Sequence, residues 1–371
     1  MVLLIATIVL FILYSVLLLY YRQSWKSIPV FATAGTTTQT KISVIIAARN
    51  EEENIGSLLE AMRQQSYPPE MFEVIVIDDH STDKTASVVQ RFNHVKLIRL
   101  LDDNINSYKK KAIETGIASA SGEWIVTTDA DCLPPAEWLN TIAAFKEEKN
   151  AVFVVAPVVI DCNSSLLQIF QAMDFSVLQG ITGASAQRNI HSMCNGANLA
   201  YERKVFYEVN GFAGIDHIAS GDDMLLMHKI WKKYPGNVHY LKSKDAIVAT
   251  QPMKTWIEFF SQRIRWASKA NRYDDKRIFW VLVLVYLFNL SFLVLAIATF
   301  WNLDFGFWIL GLWVAKTLVE LPFVSSVSSF FGKRSLVKYF FLLQPLHILY
   351  TIISGLFGQF GRYEWKGRKV K

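Results

Sequence analysis

The sequence has 371 residues, of which 52% are hydrophobic, and a formal net charge of +6. That apolar share is too high for an ordinary soluble domain, so part of the chain sits in lipid. Lys and Arg gather around the hydrophobic segments with no nucleic-acid motif beside them, which points to anionic lipid and away from nucleic acid, and three cysteines without CxxC spacing give neither a disulfide framework nor a zinc site and fit a reducing compartment.

In chain order, Val2 to Tyr21 carries no charge and is long enough to cross a bilayer, which takes about 20 apolar residues. No basic stretch precedes it and no clear cleavage site follows, so it reads as a retained anchor over residues 1–24 rather than a signal peptide. A Thr-rich linker, "ATAGTTTQT", leads into an aqueous part, residues 25–277. Here short apolar runs alternate with amphipathic stretches: "ISVIIAA" as a strand, Ile55 to Gln65 as a helix, "FEVIVID" as a strand, Thr82 to Phe92 as a helix, "VKLIRL" as a strand, Lys109 to Ala120 as a helix, and "EWIVTTDAD" as a strand ending in acids. A repeated βα unit implies an α/β fold with a Rossmann-like, mostly parallel sheet, whose ligands bind at the carboxyl ends of the strands.

Residues 278–371 form a C-terminal membrane region with about three hydrophobic segments, Ile278 to Trp301, Phe305 to Val327 and Tyr339 to Gly361. Lys316 and Glu320 lie one helical turn apart within the second, where they either neutralise each other or mark an interfacial stretch. Basic flanks at Arg22 and Lys26, Lys269 to Arg277, and Lys333 to Lys338 place residues 22–277 in the cytosol. Three full crossings would carry the basic tail "RYEWKGRKVK" outside, so either the tail breaks the positive-inside tendency or one segment does not cross.

The polar clusters fall at the ends of the expected strands. Arg49, Asn50 and Glu51 to Glu53 would cap the following helix or face a ligand; Asp78 and Asp79 would cap a turn through Ser81 or Asp83, or accept hydrogen bonds from a nucleoside. Asp129 and Asp131 in "DAD" alternate, so on a strand both carboxylates face one way. Two convergent carboxylates repel unless a hard divalent cation joins them; the alternative is a turn ahead of Pro134 and Pro135. Asp222 and Asp223 either begin a helix after Gly221 or supply a base, and "QRIRW" at 262–266 is either a headgroup contact or a grip on a phosphate and a sugar.

The motifs "SVIIAARNEEENI", "VIVIDDHSTD", "KKKAIETGIASASGEWIVTTDADC", "NGANLAYER", "GDDMLL" and "QRIRW", in this order, resemble the family-2 inverting glycosyltransferases of GT-A fold. They are most similar to the membrane-embedded branch that includes cellulose, chitin and hyaluronan synthases, bacterial poly-N-acetylglucosamine synthases and ceramide glucosyltransferases. The resemblance covers about residues 42–266 and the membrane arrangement. It implies that Asp79, with Asp78 beside it, holds the nucleobase and ribose of a UDP-sugar, helped by the backbone from Ala47 to Arg49 and by Glu51. Lys109 would approach the diphosphate, Asp129 would meet the ribose and the metal, Asp131 the metal, Mg²⁺ or Mn²⁺. Asn195, Gly196 and Asn198 would line the donor sugar and acceptor. Asp223 takes the place of the catalytic base, with Asp222 in a supporting role where relatives often carry Glu. His80 stands where Gly is common. Gln262, Arg265 and Trp266 match a QxxRW motif in which Trp stacks on the acceptor sugar and Gln and Arg face the diphosphate, whereas Arg263 falls outside the motif and reads as a headgroup contact.

Displacing a nucleoside diphosphate from an anomeric carbon needs a base on the acceptor hydroxyl and positive charge on the departing phosphates. A single attack inverts the anomeric centre and gives a beta-linked product from an alpha-linked donor. The expectation is therefore a multi-pass bacterial inner-membrane transferase, its catalytic domain cytosolic, moving glucose or N-acetylglucosamine from UDP to a polysaccharide, with accessory subunits completing the export path. The alternatives are a single-transfer glycolipid synthase and a scaffold with a dead transferase domain, against which the intact acids and QxxRW argue.

Overall fold

A computed structural model describes residues 1–33, 38–102, 107–162, 165–190, 193–218, 221–268, 275–360, 363–365 and 368–370. Residues 34–37 of the Thr-rich linker, 269–274 of the basic flank, and 361–362, 366–367 and 371 of the tail lie outside the described residues. The chain begins with α1 (Val2–Ser27), then β1 (Ile42–Ala48), α2 (Ile55–Arg63), β2 (Phe72–Asp78), α3 (Thr85–Val89), β3 (Val95–Arg99), α4 (Tyr108–Ala118) and β4 (Trp124–Asp129). Next come β5 (Cys132–Leu133), α5 (Trp138–Lys149), β6 (Phe153–Val155), β7 (Val158–Ile160), α6 (Leu166–Ala186), β8 (Leu199–Glu202), α7 (Arg203–Glu208) and α8 (Asp222–Lys233). The remainder is β9 (Val238–Tyr240), β10 (Val248–Thr250), α9 (Trp256–Ala267), α10 (Lys276–Ala298), α11 (Asp304–Phe330), α12 (Phe340–Phe360), β11 (Tyr363–Trp365) and β12 (Arg368–Val370).

These elements form two compact units. The α/β unit comprises Ile28–Asp161, Ser185–Gln251 and Glu364–Lys371. Its main sheet has seven strands in the order β3-β2-β1-β4-β8-β6-β9. β1 pairs in parallel with both β2 and β4, and β2 with β3, so the strand order reverses beside β1; β8 runs antiparallel between β4 and β6. β1, β2 and β4 read as continuous apolar runs because both faces of such a sheet are covered, and their interiors are buried. α4 packs closely on this sheet because Gly116 has no side chain: a Cβ there would lie 2.6 Å from Ile45 and 2.7 Å from Ile77. Register puts Ala48 opposite Asp78 and Ala47 opposite Asp129, so the carboxyl ends of the three strands lie level at the switch point, where ligands bind in open α/β sheets. A small sheet, β5-β10-β7, completes the unit.

The helical unit comprises Met1–Ser27, Cys162–Ala184 and Pro252–Tyr363. Four of its helices are long and apolar enough to cross a membrane: Val2–Ser27, Lys276–Ala298, Asp304–Phe330 and Arg334–Gln359. Leu167, Phe170 and Met173 of α6, Phe259 of α9, Val324 of α11, and Leu343 and Tyr350 of α12 form one buried cluster. α9 starts at a reciprocal cap: the Thr255 hydroxyl accepts from the Glu258 N–H, and the Glu258 carboxylate accepts from the Thr255 N–H. In α11 the Lys316 ammonium lies 2.7 Å from Glu320, both buried, so the pair neutralises itself within the bundle.

Candidate active site

The α/β unit brings most of the singled-out residues to the carboxyl ends of β1, β2 and β4. Behind β1 and β2, two loops are laced together. Arg49 Nη1 donates to the carbonyls of Asp79 at 2.9 Å and His80 at 3.1 Å; the Glu51 N–H donates to Thr85 Oγ1 at 2.8 Å, and the Glu52 carboxylate accepts from the Lys84 N–H at 2.9 Å. Glu51 through its backbone N–H and Glu52 through its carboxylate therefore tie to the loop after β2, while the Glu51 carboxylate accepts from the N-cap Asn54 amide at 2.8 Å, and no acid occupies the first turn of α2. The Asp79 N–H donates to the Ala48 carbonyl at 2.8 Å, fixing a carboxylate that is 3% exposed. Asp78 instead turns one oxygen to the Ser81 N–H at 3.1 Å, closing the turn as the sequence allowed. His80 has φ +53°, a left-handed conformation that residues with a side chain seldom adopt, and its Nδ1 lies 3.0 Å from Asp79 Oδ1.

Lys109, in the first turn of α4, sits among acids. Its Nζ donates to Asp129 Oδ1 at 2.7 Å and lies 3.4 Å from Asp222 Oδ2. Burial alone would depress the ammonium, but the Asp129, Asp222 and Asp223 carboxylates outweigh it and hold Lys109 well above the usual lysine range. The α8 N-terminus presents Asp222 and Asp223 after Gly221, whose φ of +77° a residue with a side chain rarely adopts. Asp223 Oδ2 accepts the Gly196 N–H at 3.1 Å and its Oδ1 the Met224 N–H at 2.7 Å, so each oxygen keeps a lone pair in hand. Gly196 fits because it is bare: a Cβ would lie 3.2 Å from Lys109 Nζ and 3.3 Å from Asp222 Oδ2.

Two expectations change at this end of the sheet. β4 ends at Asp129 and Asp131 lies in the turn before β5, so strand alternation does not set the direction of the second carboxylate. Cys132 Sγ donates to Asp131 Oδ1 at 3.7 Å, and burial together with the Asp131 and Asp129 carboxylates pushes this thiol up, keeping it protonated. Asn198 is a core residue rather than a lining one: it is fully buried, its Nδ2 donates to the carbonyls of Pro157 and Ala246 at 2.8 Å each, and its Oδ1 accepts from Trp138 at 2.9 Å. Asn195 likewise turns its Oδ1 to the Ala197 N–H at 3.0 Å, shaping the loop that carries Gly196.

Gln262, Arg265 and Trp266 belong to the helical unit, all half-buried on α9. Arg263 is no headgroup contact, being 3% exposed and 2.8 Å from the Asp174 carboxylate. Lys110 was also missed. Its buried ammonium donates to the carbonyls of Ile215 at 2.7 Å and Ile218 at 2.5 Å, anchoring the segment before α8, and nothing in "KKK" distinguishes it from its neighbours.

Residues 43–209 match the Glycosyl transferase family 2 pattern. The chain is 27% identical over 260 residues to a probable glycosyltransferase, YdaM, of Bacillus subtilis, covering 68% of this chain and 58% of that protein. It is 25% identical over 228 residues to the poly-beta-1,6-N-acetyl-D-glucosamine synthase of Staphylococcus epidermidis, covering 61% and 53%. The chain thus spans little more than half the length of these relatives. A mannosyltransferase from Pyrobaculum calidifontis, solved with GDP-Man and Mn²⁺, superposes with a TM-score of 0.63 at 20% identity, covering 96% of this chain and 98% of that one. The α/β unit is accordingly of GT-A fold.

Among the described residues no cluster of three or more His, Cys, Asp or Glu side chains could hold a metal by itself. Asp129 and Asp131 offer two hard carboxylates near the end of β4, a donor set that suits Mg²⁺ or Mn²⁺ when substrate phosphates supply the remaining ligands.

Proposed function

We propose that this transferase is a membrane-bound inverting enzyme that moves a hexosyl unit from a UDP-sugar, UDP-glucose or UDP-N-acetylglucosamine, to a polysaccharide acceptor with a beta linkage. The observation that carries the reading is the meeting of Lys109, Asp129, Asp222, Asp223 and Gly196 at the switch point, a few ångströms from one another.

In this reading Asp79 accepts hydrogen bonds from the nucleobase or ribose, and the loops laced through Arg49 and Glu51 hold that carboxylate in place. Lys109 leaves its carboxylate partners in part to meet the diphosphate. Asp223, oriented by the Gly196 and Met224 N–H groups, takes the proton of the acceptor hydroxyl as its oxygen attacks the anomeric carbon from the side opposite the leaving diphosphate. A divalent cation held by Asp129 and Asp131 would supply charge neutralisation on the departing diphosphate. Gln262, Arg265 and Trp266 serve the diphosphate and acceptor as their motif implies, and residues 22–277 face the cytosol of a bacterium.

The test is to incubate membranes carrying the chain with radiolabelled UDP-glucose, UDP-N-acetylglucosamine and GDP-mannose. Label from either UDP-sugar in insoluble polymer supports the reading, label confined to lipid extract replaces it with a glycolipid synthase, and label from GDP-mannose alone or no transfer from any donor overturns it.

A further inference from the structure

The helical unit carries a buried charge pair beside the QxxRW motif that the mechanism above does not use. Phe259, Arg263 and Trp266 are spaced four and three residues apart on α9 and share one face of that helix. The Arg263 guanidinium lies 4.3 Å from the centre of the Trp266 ring and 4.9 Å from that of Phe259. Its Nη2 is 2.8 Å from Asp174 Oδ2 of α6, with side chains 2% and 4% exposed. Tyr350 of α12 donates to the other oxygen of Asp174 at 2.7 Å. Phe175, next to Asp174, packs on Trp266 with ring centres 6.0 Å apart.

This arrangement is costly to build, because two charges taken out of water are repaid only by close pairing and good hydrogen bonds. The pairing is incomplete: Arg263 Nη2 and Asp174 Oδ2 meet as an ion pair without hydrogen-bond geometry, and Arg263 Nε and Nη1 have no hydrogen-bond partner among the described residues. What the guanidinium does have is the face of an aromatic ring close by, and that ring belongs to the motif. A pair of apolar residues would fill the same space at no desolvation cost, so the charge serves something other than packing.

We infer that Asp174 and Arg263 are positioning residues for the acceptor site: Asp174, fixed by Tyr350, holds the Arg263 guanidinium against Trp266 and so sets the direction of the ring that stacks on the acceptor sugar. The inference rests on the proposed acceptor role of Trp266. Arg263 acts through Trp266 and touches no substrate, which separates it from Arg265 two positions on.

The experiment compares Trp266→Ala, Arg263→Lys and the double variant Asp174→Asn/Arg263→Met in membranes supplied with radiolabelled UDP-glucose and UDP-N-acetylglucosamine. It reads the ratio of sugar transferred to sugar released by hydrolysis, together with UDP affinity and thermal stability in detergent. Lys keeps the charge opposite Asp174 but not the planar stack, and the double variant removes the buried charge while leaving Tyr350 an acceptor. Both should lower the transfer-to-hydrolysis ratio by roughly ten-fold, in the direction of Trp266→Ala, with UDP affinity unchanged and the double variant about as stable as the parent. An unchanged ratio in Trp266→Ala removes the acceptor role of Trp266 and this inference with it. A lowered ratio in Trp266→Ala beside a parental ratio in a stably folded double variant leaves the acceptor role standing and overturns the inference, since the pair then only supports the fold.

Discussion

The Lys109 ammonium is bound to Asp129 at 2.7 Å and reaches Asp222 at 3.4 Å, so one cation joins the end of β4 to the start of α8. Three carboxylates hold that charge well above the ordinary lysine range. The lysine's own titration therefore takes nothing from this attraction between neutrality and the unfolded value of about 10.4, and the attraction fades on the alkaline side only as pH rises through the still higher folded value. Lys109→Met should lower transfer by about 100-fold or more and weaken UDP binding, because like charges then face one another where a diphosphate must enter. A rate-against-pH profile of the parent should show no limb from this group between neutrality and about pH 10. Unimpaired UDP affinity in Lys109→Met, measured by calorimetry, would remove Lys109 from the donor site.

Metal dependence follows from the donor set near the end of β4. Asp129 already partners Lys109, and two carboxylates are too few to hold Mg²⁺ without substrate phosphates. Metal and UDP-sugar should consequently bind together: each raises the affinity for the other, and chelator abolishes transfer while leaving thermal stability of the free protein unchanged. Asp131→Asn should act in the same way. Full transfer in excess EDTA refutes the assignment.

Asp223 is held by two backbone N–H groups and does not contact the Lys109 ammonium in the way Asp222 does. Asp223→Asn should lose transfer by about 100- to 10,000-fold with UDP affinity near the parental value, since a base on the acceptor hydroxyl does not touch the nucleotide. A parallel loss of UDP affinity would move Asp223 into the donor site.

The parallel core was legible because β1, β2 and β4 are buried on both faces and spell apolar runs that end abruptly in Asp78, Asp79 and Asp129. What was not legible depends on residues far apart in the chain. Asn198 looks like a loop residue until Trp138, Pro157 and Ala246 converge on its amide. Arg263 reads as a surface cation in a basic amphipathic stretch, and only the arrival of Asp174 and Tyr350, 89 and 87 residues away, buries it. The helix from Leu166 to Ala186 passed without notice in the sequence, and it supplies that Asp174. Asp131 misled for a local reason: period-two logic holds only while the strand lasts, and β4 stops at Asp129.

The last prediction concerns the other buried charge pair, on a helix of the helical unit long and apolar enough to cross a membrane. Lys316 and Glu320 are 2.7 Å apart on α11; Tyr14 of α1 donates to Glu320, and Gln344 of α12 accepts from Lys316 at 2.5 Å while donating to Glu320. Three helices are thus tied at one buried point. Removing a single partner, as in Glu320→Ala, leaves an ammonium buried without its counter-ion and should cost about 3–5 kcal/mol. The double change Lys316→Met/Glu320→Leu removes both charges, keeps volume, and should recover most of that loss, leaving a smaller deficit from the unpaired Tyr14 and Gln344 side chains. Thermal unfolding of the detergent-solubilised protein checks the order: parent and double variant close together, Glu320→Ala far below. Transfer per folded molecule should be equal in all three, because this network lies on α1, α11 and α12 and holds none of the residues assigned to the chemistry. Equal stability of Glu320→Ala and parent would mean that water or lipid headgroups reach Lys316 and that this part of α11 lies at the interface rather than within the bilayer.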